Sequence, residues 1–460
     1  MAPAPRRLER GADVPSADVV VIGAGLAGLA TAVALADAGA RVIVLGAGNA
    51  TTHWAAGPID IAAPPGVATS RAGVLRLAAN ATHPYALLAD VVAPAIKWFL
   101  GITAGAGLPH VGSLDSPLAS LPTGIGGTRP VAVVPEAQAD ALPAWSRDEG
   151  LVIVGPIGFK DLWPHAVAAS LRRAGVWGST SMPASVVGAA VDLPGLAGRR
   201  NLSALVIADQ FDDPAWRRDA LDAIAGAVDA VVRGSVRLAL PAALGRRDHS
   251  AALAEARERL GRPVFELPLV PPGIPGLRLH DALRAALRAR GGRLQVGEQI
   301  VRVETVGRRV TAVATAAAVR EYRVRTDSVV LATGGLAGGG IVGEPDGRLR
   351  ETVLNLPVEG PPIDSWLAGD GLDPAAHPIA AAGIRVDGEL RPIDPAAPER
   401  GPLYDNVTVA GGLLAGQHVL RERCGDGVAI ASAWRVATAG QTDRGPSSAT
   451  EAITERGARQ

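Results

Sequence analysis

Ala17-Asp-Val-Val-Val-Ile-Gly-Ala-Gly-Leu-Ala-Gly-Leu-Ala30 decides how the chain is read, because an apolar run feeds directly into Gly23, Gly25 and Gly28. Asp18 to Ile22 reads as a buried strand, and Leu26 to Ala38 as a small-residue helix closed by Gly39. Set between a strand and a helix, G-x-G-x-x-G is a phosphate-cradling turn. Gly23 permits the tight bend, Gly25 lets a pyrophosphate approach the backbone, and Gly28 lets helix and strand pack closely. Ala24, Leu26 and Ala27 complete the expected contact surface, where backbone N–H groups and the positive helix end face the phosphates. The bland alternative is a tight strand-to-helix turn with no ligand.

The next strand, Arg41 to Leu45, breaks the pattern. A dinucleotide site places an acidic residue about 20 residues after the glycines to take the ribose hydroxyls. Here the strand runs into Gly46-Ala-Gly48 without a carboxylate. That argues against a nicotinamide dinucleotide held in the usual way, and it removes an anchor for the adenosine half of FAD.

The 460 residues imply two or three structural units. With 48% hydrophobic but only 3% aromatic residues, the core is built from Ala, Val, Leu and Ile. The 45 basic residues balance 45 acidic ones, which leaves no broad cationic field for nucleic acid or anionic lipid. One cysteine, Cys424, excludes an internal disulfide, a cysteine-ligated iron-sulfur cluster and a multi-cysteine zinc site. No metal site is expected, and electrons leaving this chain must pass to another subunit or a soluble acceptor. Arg6-Arg7 and the apolar run Val19 to Ala36 mimic a twin-arginine signal or a membrane span. The three motif glycines explain that run as strand, turn and helix, so no direct membrane span is expected. Residues 1–16 and about 441–460 read as disordered tails.

Three separated segments read as one nucleotide-binding layer: 17 to about 60, Asp327 to Gly335, and Asn406 to about Thr438. The second is a short strand ending in Ala332-Thr333-Gly334, after a hairpin region at 299–325. Such a return resembles two-dinucleotide-type flavoproteins. The third pairs a strand, Val407 to Ala410, with Gly411-Gly412 and a helix opening at Cys424-Gly-Asp-Gly427. Leu151–Gly155, Asn201–Ala208 and Ser235–Leu240 read as strands of another lobe, with helices at 164–174, 214–232, 249–260 and 278–290. The expected fold is α/β: a discontinuous Rossmann-like flavin-binding domain (17–125 and 326–440) with an inserted α/β cap or substrate domain (126–325). The last helix, starting near Gly425, would point its amino end at the pyrimidine edge of a flavin, shifting its potential by only tens of millivolts.

Flavoproteins of this kind carry Gly-Asp after the last strand, where this chain has Gly411-Gly412. Two polar anchors are thus missing, so either loops replace them around FAD or the flavin is FMN.

The chain resembles the B subunit of anaerobic glycerol-3-phosphate dehydrogenase from residue 18 to 438. The shared features are the Gly23–Gly28 turn, Thr52-His-Trp-Ala-Ala-Gly-Pro-Ile-Asp60, His83-Pro-Tyr85, Gly155-Pro-Ile-Gly-Phe-Lys-Asp161, Pro272-Gly-Ile-Pro-Gly-Leu-Arg278, Ala332 to Gly340, and Cys424-Gly-Asp-Gly-Val428. Gly46 matches the family's own lack of an acidic residue. The chain departs at Gln417-His418-Val419, where the family has F-D-P, and at Ala55-Ala56, where it has two serines.

The resemblance implies a flavin-dependent member of a complex oxidising sn-glycerol 3-phosphate to dihydroxyacetone phosphate. Its implied partners are an A-type chain, the catalytic flavoprotein, and a C-type chain, which carries iron-sulfur clusters, anchors the complex to the membrane and feeds a membrane quinone. The implied location is cytoplasmic, peripheral at the inner face of the cell membrane through those partners. On the residues alone, a fumarate-reductase-like flavoprotein acting on another small substrate and a non-catalytic flavin relay or scaffold stay open.

Oxidising a secondary alcohol with a flavin needs a base and, for a phosphorylated substrate, a cationic pocket. His53 is the candidate base, with a backbone-bonded loop residue as its alternative. Arg278 is the candidate phosphate clamp, with a structural ion pair as its alternative. Expected cofactor contacts beyond the first turn are Gly46, His53, Trp54, Ala55, Gly57, Ala332, Thr333, Gly334, Gly411, Gly412, Gly425, Gly427 and Val428. Cys424, at a helix amino end, reads either as a thiol of lowered pKa or as a small space-filler.

Overall fold

The computed structural model describes residues 15–174, 182–316, 321–370 and 377–439. In chain order the first elements are β1 (Ser16–Ile22), α1 (Leu26–Asp37), β2 (Val42–Gly46), a single 3-10 turn Thr51–Trp54, α2 (Ser70–Ala78) and α3 (Tyr85–Gly105). Short strands β3 (His110–Gly112), β4 (Ala119–Pro122), β5 (Thr128–Val131) and β6 (Val133–Pro135) follow. Then come β7 (Gly150–Pro156), α4 (Pro164–Ala174), β8 (Val186–Val191), α5 (Ala204–Phe211), α6 (Pro214–Val231), β9 (Val236–Pro241), α7 (His249–Leu260) and β10 (Val264–Leu267). The chain returns through α8 (Ile274–Ala289), β11 (Arg293–Val296), β12 (Ile300–Val306), β13 (Arg309–Thr315) and β14 (Tyr322–Leu331). It ends with β15 (Ile341–Gly343), β16 (Leu349–Glu351), β17 (Val407–Val409), the short α9 (Val419–Glu422) and α10 (Gly425–Ala439).

The first sheet has the order β11-β2-β1-β14-β13-β12, with β17 also on β14. β1 runs parallel to both β2 and β14, in registers Val20↔Ile43 and Val20↔Val329. Where they are buried on both faces, in β1, β2 and the last three residues of β14, these strands are runs of Val, Ile and Leu rather than alternating patterns. α1 is nearly all Ala, Leu and Val, with Leu29, Ala30, Ala32, Val33 and Ala34 at 0% exposure. Its small side chains let α10 and α8 lie close against it. α3 is long and apolar enough to cross a bilayer by length and composition. In this fold it packs on α10 and buries Tyr85, Leu88, Val92 and Phe99 in the first core.

The second sheet, β10-β9-β7-β8, is wholly parallel and carries its own core, with Leu151, Ile153, Leu238 and Phe265 at its centre. Four expectations change here. Asn201–Ala208 is not a strand: Ala204–Phe211 is a helix capped by Ser203, whose Oγ accepts the Val206 N–H. The expected 126–325 insertion does not stay apart from the nucleotide layer, because β11, β12 and β13 are strands of the first sheet. The second core instead ends at Ile274, the first residue of α8, while Leu279, Leu283 and Leu287 of that helix belong to the first core. The helix expected from 278 therefore begins at Ile274, and β1 begins at Ser16. Residues 1–14 and 440–460, which hold nearly all of both expected tails, lie outside the described residues.

Candidate functional site

The three motif glycines serve different ends. Gly23 has φ +117, and a Cβ on it would lie 2.1 Å from the Ala332 carbonyl oxygen. A Cβ on Gly28 would lie 1.9 Å from the Gly23 oxygen. Both are therefore required by the chain's own packing, which brings the turn against the end of β14. Gly25 is not: the nearest atoms to its added Cβ are Ala50 Cβ at 3.6 Å and Thr52 Oγ1 at 3.7 Å. Glycine at that position leaves space that the protein itself does not fill.

At the end of β2, Gly46 packs on Ala24, whose Cβ would be 2.7 Å from an added one, and the Gly46 carbonyl accepts the N–H groups of Gly297 and Glu298. The following 3-10 turn folds back over the glycine turn. Thr52 Oγ1 accepts the Leu26 N–H at 2.8 Å and so caps α1. The amino end of α8 holds this loop: Gly273 N–H donates to His53 O at 2.8 Å, and Gly276 N–H to Ala55 O at 3.1 Å. Cβ atoms on Gly273 and Gly276 would lie 2.1 Å from Ala55 O and Thr52 O respectively. The Pro272-Gly-Ile-Pro-Gly276 motif is thus a close backbone clamp on residues 52–55.

One turn further along α8, the His280 ring stands edge-on to His53, with centroids 4.5 Å apart. Burial, then the neighbouring His53 and Arg284, push His280 down to about 4. Burial also lowers His53, with Asp281 opposing, and its Nε2 is buried with no partner. Burial thus favours the neutral form of the His53 imidazole. Trp54 is 53% exposed beside it. Gly57, at φ +118, lies against Gln138, whose Nε2 donates to Ala56 O at 2.8 Å and whose Oε1 has no partner.

The remaining wall comes from the ends of β14 and β17. Gly334 (φ +78) and Gly411 (φ +69) turn the chain, and a Cβ on Gly335 would lie 2.7 Å from Gly412 O. Gly411 presses on Ala27 of α1, and its N–H donates to Ser432 Oγ at 2.9 Å. Where an aspartate is missing, Gln417 enters: its Nε2 donates to Gly411 O at 2.9 Å and Leu414 O at 3.0 Å. Those two bonds fix the amide so that Oε1 is the outward acceptor, and it is buried without a partner, as is Thr333 Oγ1. Gly427 N–H donates to Asp60 O at 2.9 Å, and Val428 is buried. Gly425 opens α10, with Val419 the nearest neighbour to an added Cβ at 3.3 Å.

One expected role is overturned, and one open choice falls to the buried space-filler. Arg278 is buried at 5% exposure and commits its fork to Glu266 at 2.7 and 2.8 Å and to Gly245 O. It is a structural ion pair, with no fork left for a phosphate. Cys424 is fully buried, and burial, then Glu422, drive its thiol pKa well above the usual value rather than below it. Cys424, Glu422 and His83 hold possible metal-ligand atoms within 4.8 Å of one another. His83 Nδ1, however, accepts the Tyr85 N–H at 3.0 Å, which leaves the ring proton on Nε2, the atom facing Glu422 at 3.3 Å. In that tautomer the trio forms a polar contact between the α3 amino end and the segment before α10.

Sequence reading missed Thr52, Gln138 and His280 as parts of the site. His280 had a signal: Gly273, Gly276 and His280 are spaced three and four apart, on one face of a helix.

The FAD binding domain family model matches residues 18–428. The B subunit of anaerobic glycerol-3-phosphate dehydrogenase from Yersinia pseudotuberculosis is 30% identical over 438 residues, covering 91% of this chain and 97% of the relative. The Halobacterium salinarum protein named as the probable B subunit of the same enzyme is 31% identical over 436 residues, covering 92% and 97%. Among solved structures, a 3-ketosteroid delta1-dehydrogenase from Sterolibacterium denitrificans aligns with a TM-score of 0.44 at 10% identity, over 93% of this chain and 100% of that one. The chain belongs to the FAD-binding-domain family and, within it, to the B-subunit family of anaerobic glycerol-3-phosphate dehydrogenase, a family of flavoprotein oxidoreductases.

Proposed function

We propose that this chain is a flavin-carrying member of a complex that oxidises sn-glycerol 3-phosphate to dihydroxyacetone phosphate, with FAD as its cofactor. The observations that carry the reading are the room left beside Gly25, where an added Cβ would meet only Ala50 and Thr52, and the buried polar atoms without partners at His53, Thr333 and Gln417 on the neighbouring loops. Buried polar atoms are costly unless paired, and a flavin offers partners for each. Gly23 to Gly28 would hold its phosphates. Gln417 Oε1 would stand in for the missing aspartate toward the ribityl hydroxyls. Ala332 to Gly334, Gly411 and Gly412 would let it pass close to the backbone.

A bound flavin supplies a two-electron acceptor for the hydride of a secondary alcohol. His53, its neutral form favoured by burial and its carbonyl held by Gly273, would take the hydroxyl proton at Nε2. His280, held neutral beside it, keeps a second positive charge away from that imidazole. With Cys424 its sole cysteine, the chain cannot ligate an iron-sulfur cluster through thiolates. Electrons would therefore leave through a C-type iron-sulfur partner toward a membrane quinone, beside an A-type flavoprotein. That assembly would hold the chain at the cytoplasmic face of the membrane.

The test is purification of the chain, acid release and chromatography of its flavin, and turnover of glycerol 3-phosphate with an artificial acceptor by the assembled complex. FAD at one equivalent with turnover is the expected result. FMN would transfer the missing-anchor argument to the cofactor itself. A colourless chain that cannot be reconstituted with either flavin would sink the proposal.

A further inference from the structure

The loop of His53 is held through its backbone, by the carbonyls of His53 and Ala55, but nothing of the kind holds the ring. Its Nε2 is buried without a partner, and the imidazole makes no hydrogen bond among the described residues. A base must stand within hydrogen-bond reach of the proton it takes, and a misplacement of about 1 Å can cost on the order of 100-fold in rate. Orientation of this ring therefore falls to packing. The ring packed on it is His280, edge-on, with 4.5 Å between centroids and 84° between planes.

α8 places His280 for that contact. The residue follows Gly276 by four positions, so it leaves the helix on the face whose glycines grip residues 52–55, and it is only 6% exposed. The Ala24 carbonyl, in the middle of the Gly23-Ala24-Gly25 turn, meets the same ring as a hydrogen-bond acceptor. The nitrogen that faces this carbonyl carries the single proton of the neutral ring. One buried side chain thus touches both the phosphate turn and the candidate base. The charged groups around the two rings are Asp281, Arg246 and Arg284 toward His53, and Arg284 and Asp281 toward His280. Asp281 already answers Arg246 at 2.9 Å and Arg284 at 3.4 Å, which leaves no spare carboxylate for an imidazolium there.

We propose that His280 is the positioning residue of the base: its ring, anchored on the Ala24 carbonyl, fixes the His53 imidazole and keeps water from it. The role of His53 as base rests on the function proposed above; the contact that orients it rests on the two rings. Because the anchor belongs to the glycine turn, seating of a cofactor phosphate and orientation of the base share one buried side chain. Removing the ring has a definite sign. Burial lowers the His53 pKa, so a wetter His53 titrates higher, toward the ordinary imidazole value. A base that protonates at higher pH loses rate at higher pH.

Two measurements on His280→Ala and His280→Phe test this. In the purified full-length chain labelled at histidine, NMR follows titration of the His53 ring, identified by its loss in His53→Gln. His280→Ala should move that titration to higher pH, and His280→Phe, which restores a ring without nitrogens, should hold it near the parental position. In the assembled complex turning over glycerol 3-phosphate, His280→Ala should lower kcat by on the order of 10- to 100-fold with KM changed far less, and move the acid limb of the kcat profile to higher pH. His280→Phe should recover part of the lost kcat. An unmoved His53 titration in His280→Ala overturns the proposal, as does a His280→Phe that loses as much kcat as His280→Ala. Should His280→Ala fail to fold, His280→Gln, which keeps a donor for Ala24 but no ring, takes its place with the same two outcomes. The titration needs neither flavin nor substrate, so a parental complex inactive on glycerol 3-phosphate would sink the proposed function while the NMR still decides whether His280 holds His53.

Discussion

Replacing Arg278 by Met separates a structural ion pair from a substrate clamp. The Arg278 and Glu266 side chains are 4% and 1% exposed, and two bonds of 2.7 and 2.8 Å join them. Glu266 also accepts the Leu244 N–H at 2.8 Å. Met fills most of the arginine's volume, so the main effect is to leave a carboxylate buried without its counter-ion, which costs about 3–5 kcal/mol. Burial works to raise the Glu266 carboxyl, and the Arg278 guanidinium outweighs it and holds the group below the usual range. The native pair therefore contributes stability that is present above the unfolded carboxyl value and is lost as pH falls through the lower folded value. Urea unfolding followed by tryptophan fluorescence at pH 7 should show a lower midpoint for Arg278→Met. The double variant Arg278→Met, Glu266→Gln should regain part of the loss, because Gln still accepts the Leu244 N–H. Parental unfolding in Arg278→Met, together with a raised KM for glycerol 3-phosphate, would refute the reasoning and return Arg278 to the substrate site.

The glycine turn offers a paired test. Gly25→Ala should unfold like the parent but lose flavin, since its Cβ has 3.6 Å of clearance from the protein, whereas Gly28→Ala should be destabilised outright by its 1.9 Å approach to Gly23 O. Flavin absorbance and thermal unfolding on the same samples check both. Asp426 supplies a pH test. It faces Asp60 and Arg129, neighbours the Tyr85 phenol, and its carboxyl is pushed up to about 7 by burial first and Asp60 second. Its contribution to stability is full below the unfolded value near 4 and is lost as pH rises through 7. Asp426→Asn, which can still accept the Asp60 N–H, should therefore stabilise the chain increasingly as pH rises from 4 to 7, with the gain at pH 8 exceeding that at pH 5 by on the order of 2 kcal/mol. Equal effects at both pH values would show that the carboxyl is ionised throughout.

What the sequence disclosed was local. The strand, turn and helix of residues 16–37 follow from apolar run, glycine spacing and small residues, and the return strand to Leu331 follows from its Ala-Thr-Gly ending. The segment Asn201–Ala208 misleads because a short apolar run carries no decisive period. The Ser203 cap was the better signal. β12 and β13 alternate as a hairpin should, but no local pattern states which sheet an antiparallel pair will extend. Arg278 shows the same limit in the site. Its type suits a phosphate, and only the fold places Glu266 beneath it. Gln417 was visible as a departure from the family, yet its meaning depends on a carbonyl at Gly411 that only the tertiary structure brings to it.

α8 ties these levels together. Its first residue, Ile274, belongs to the second core, and Leu279, Leu283 and Leu287 belong to the first. Between them, Arg278 reaches back to Glu266 at the end of β10, and Gly273 and Gly276 grip the backbone of residues 52–55. A helix that joins two cores in this way transmits displacement of one to the other, because its length is fixed by its own hydrogen bonds. The second sheet cannot shift relative to the first without either breaking the Arg278–Glu266 pair or dragging α8 along α1. In the latter case the clamp carries His53, Ala55 and the Thr52 cap on Leu26 with it. The buried ion pair, whose Arg278 stands two residues from His280 and lines one cavity with Ala55 and Gly57, thus helps to hold α8 where it grips the loop of the candidate base.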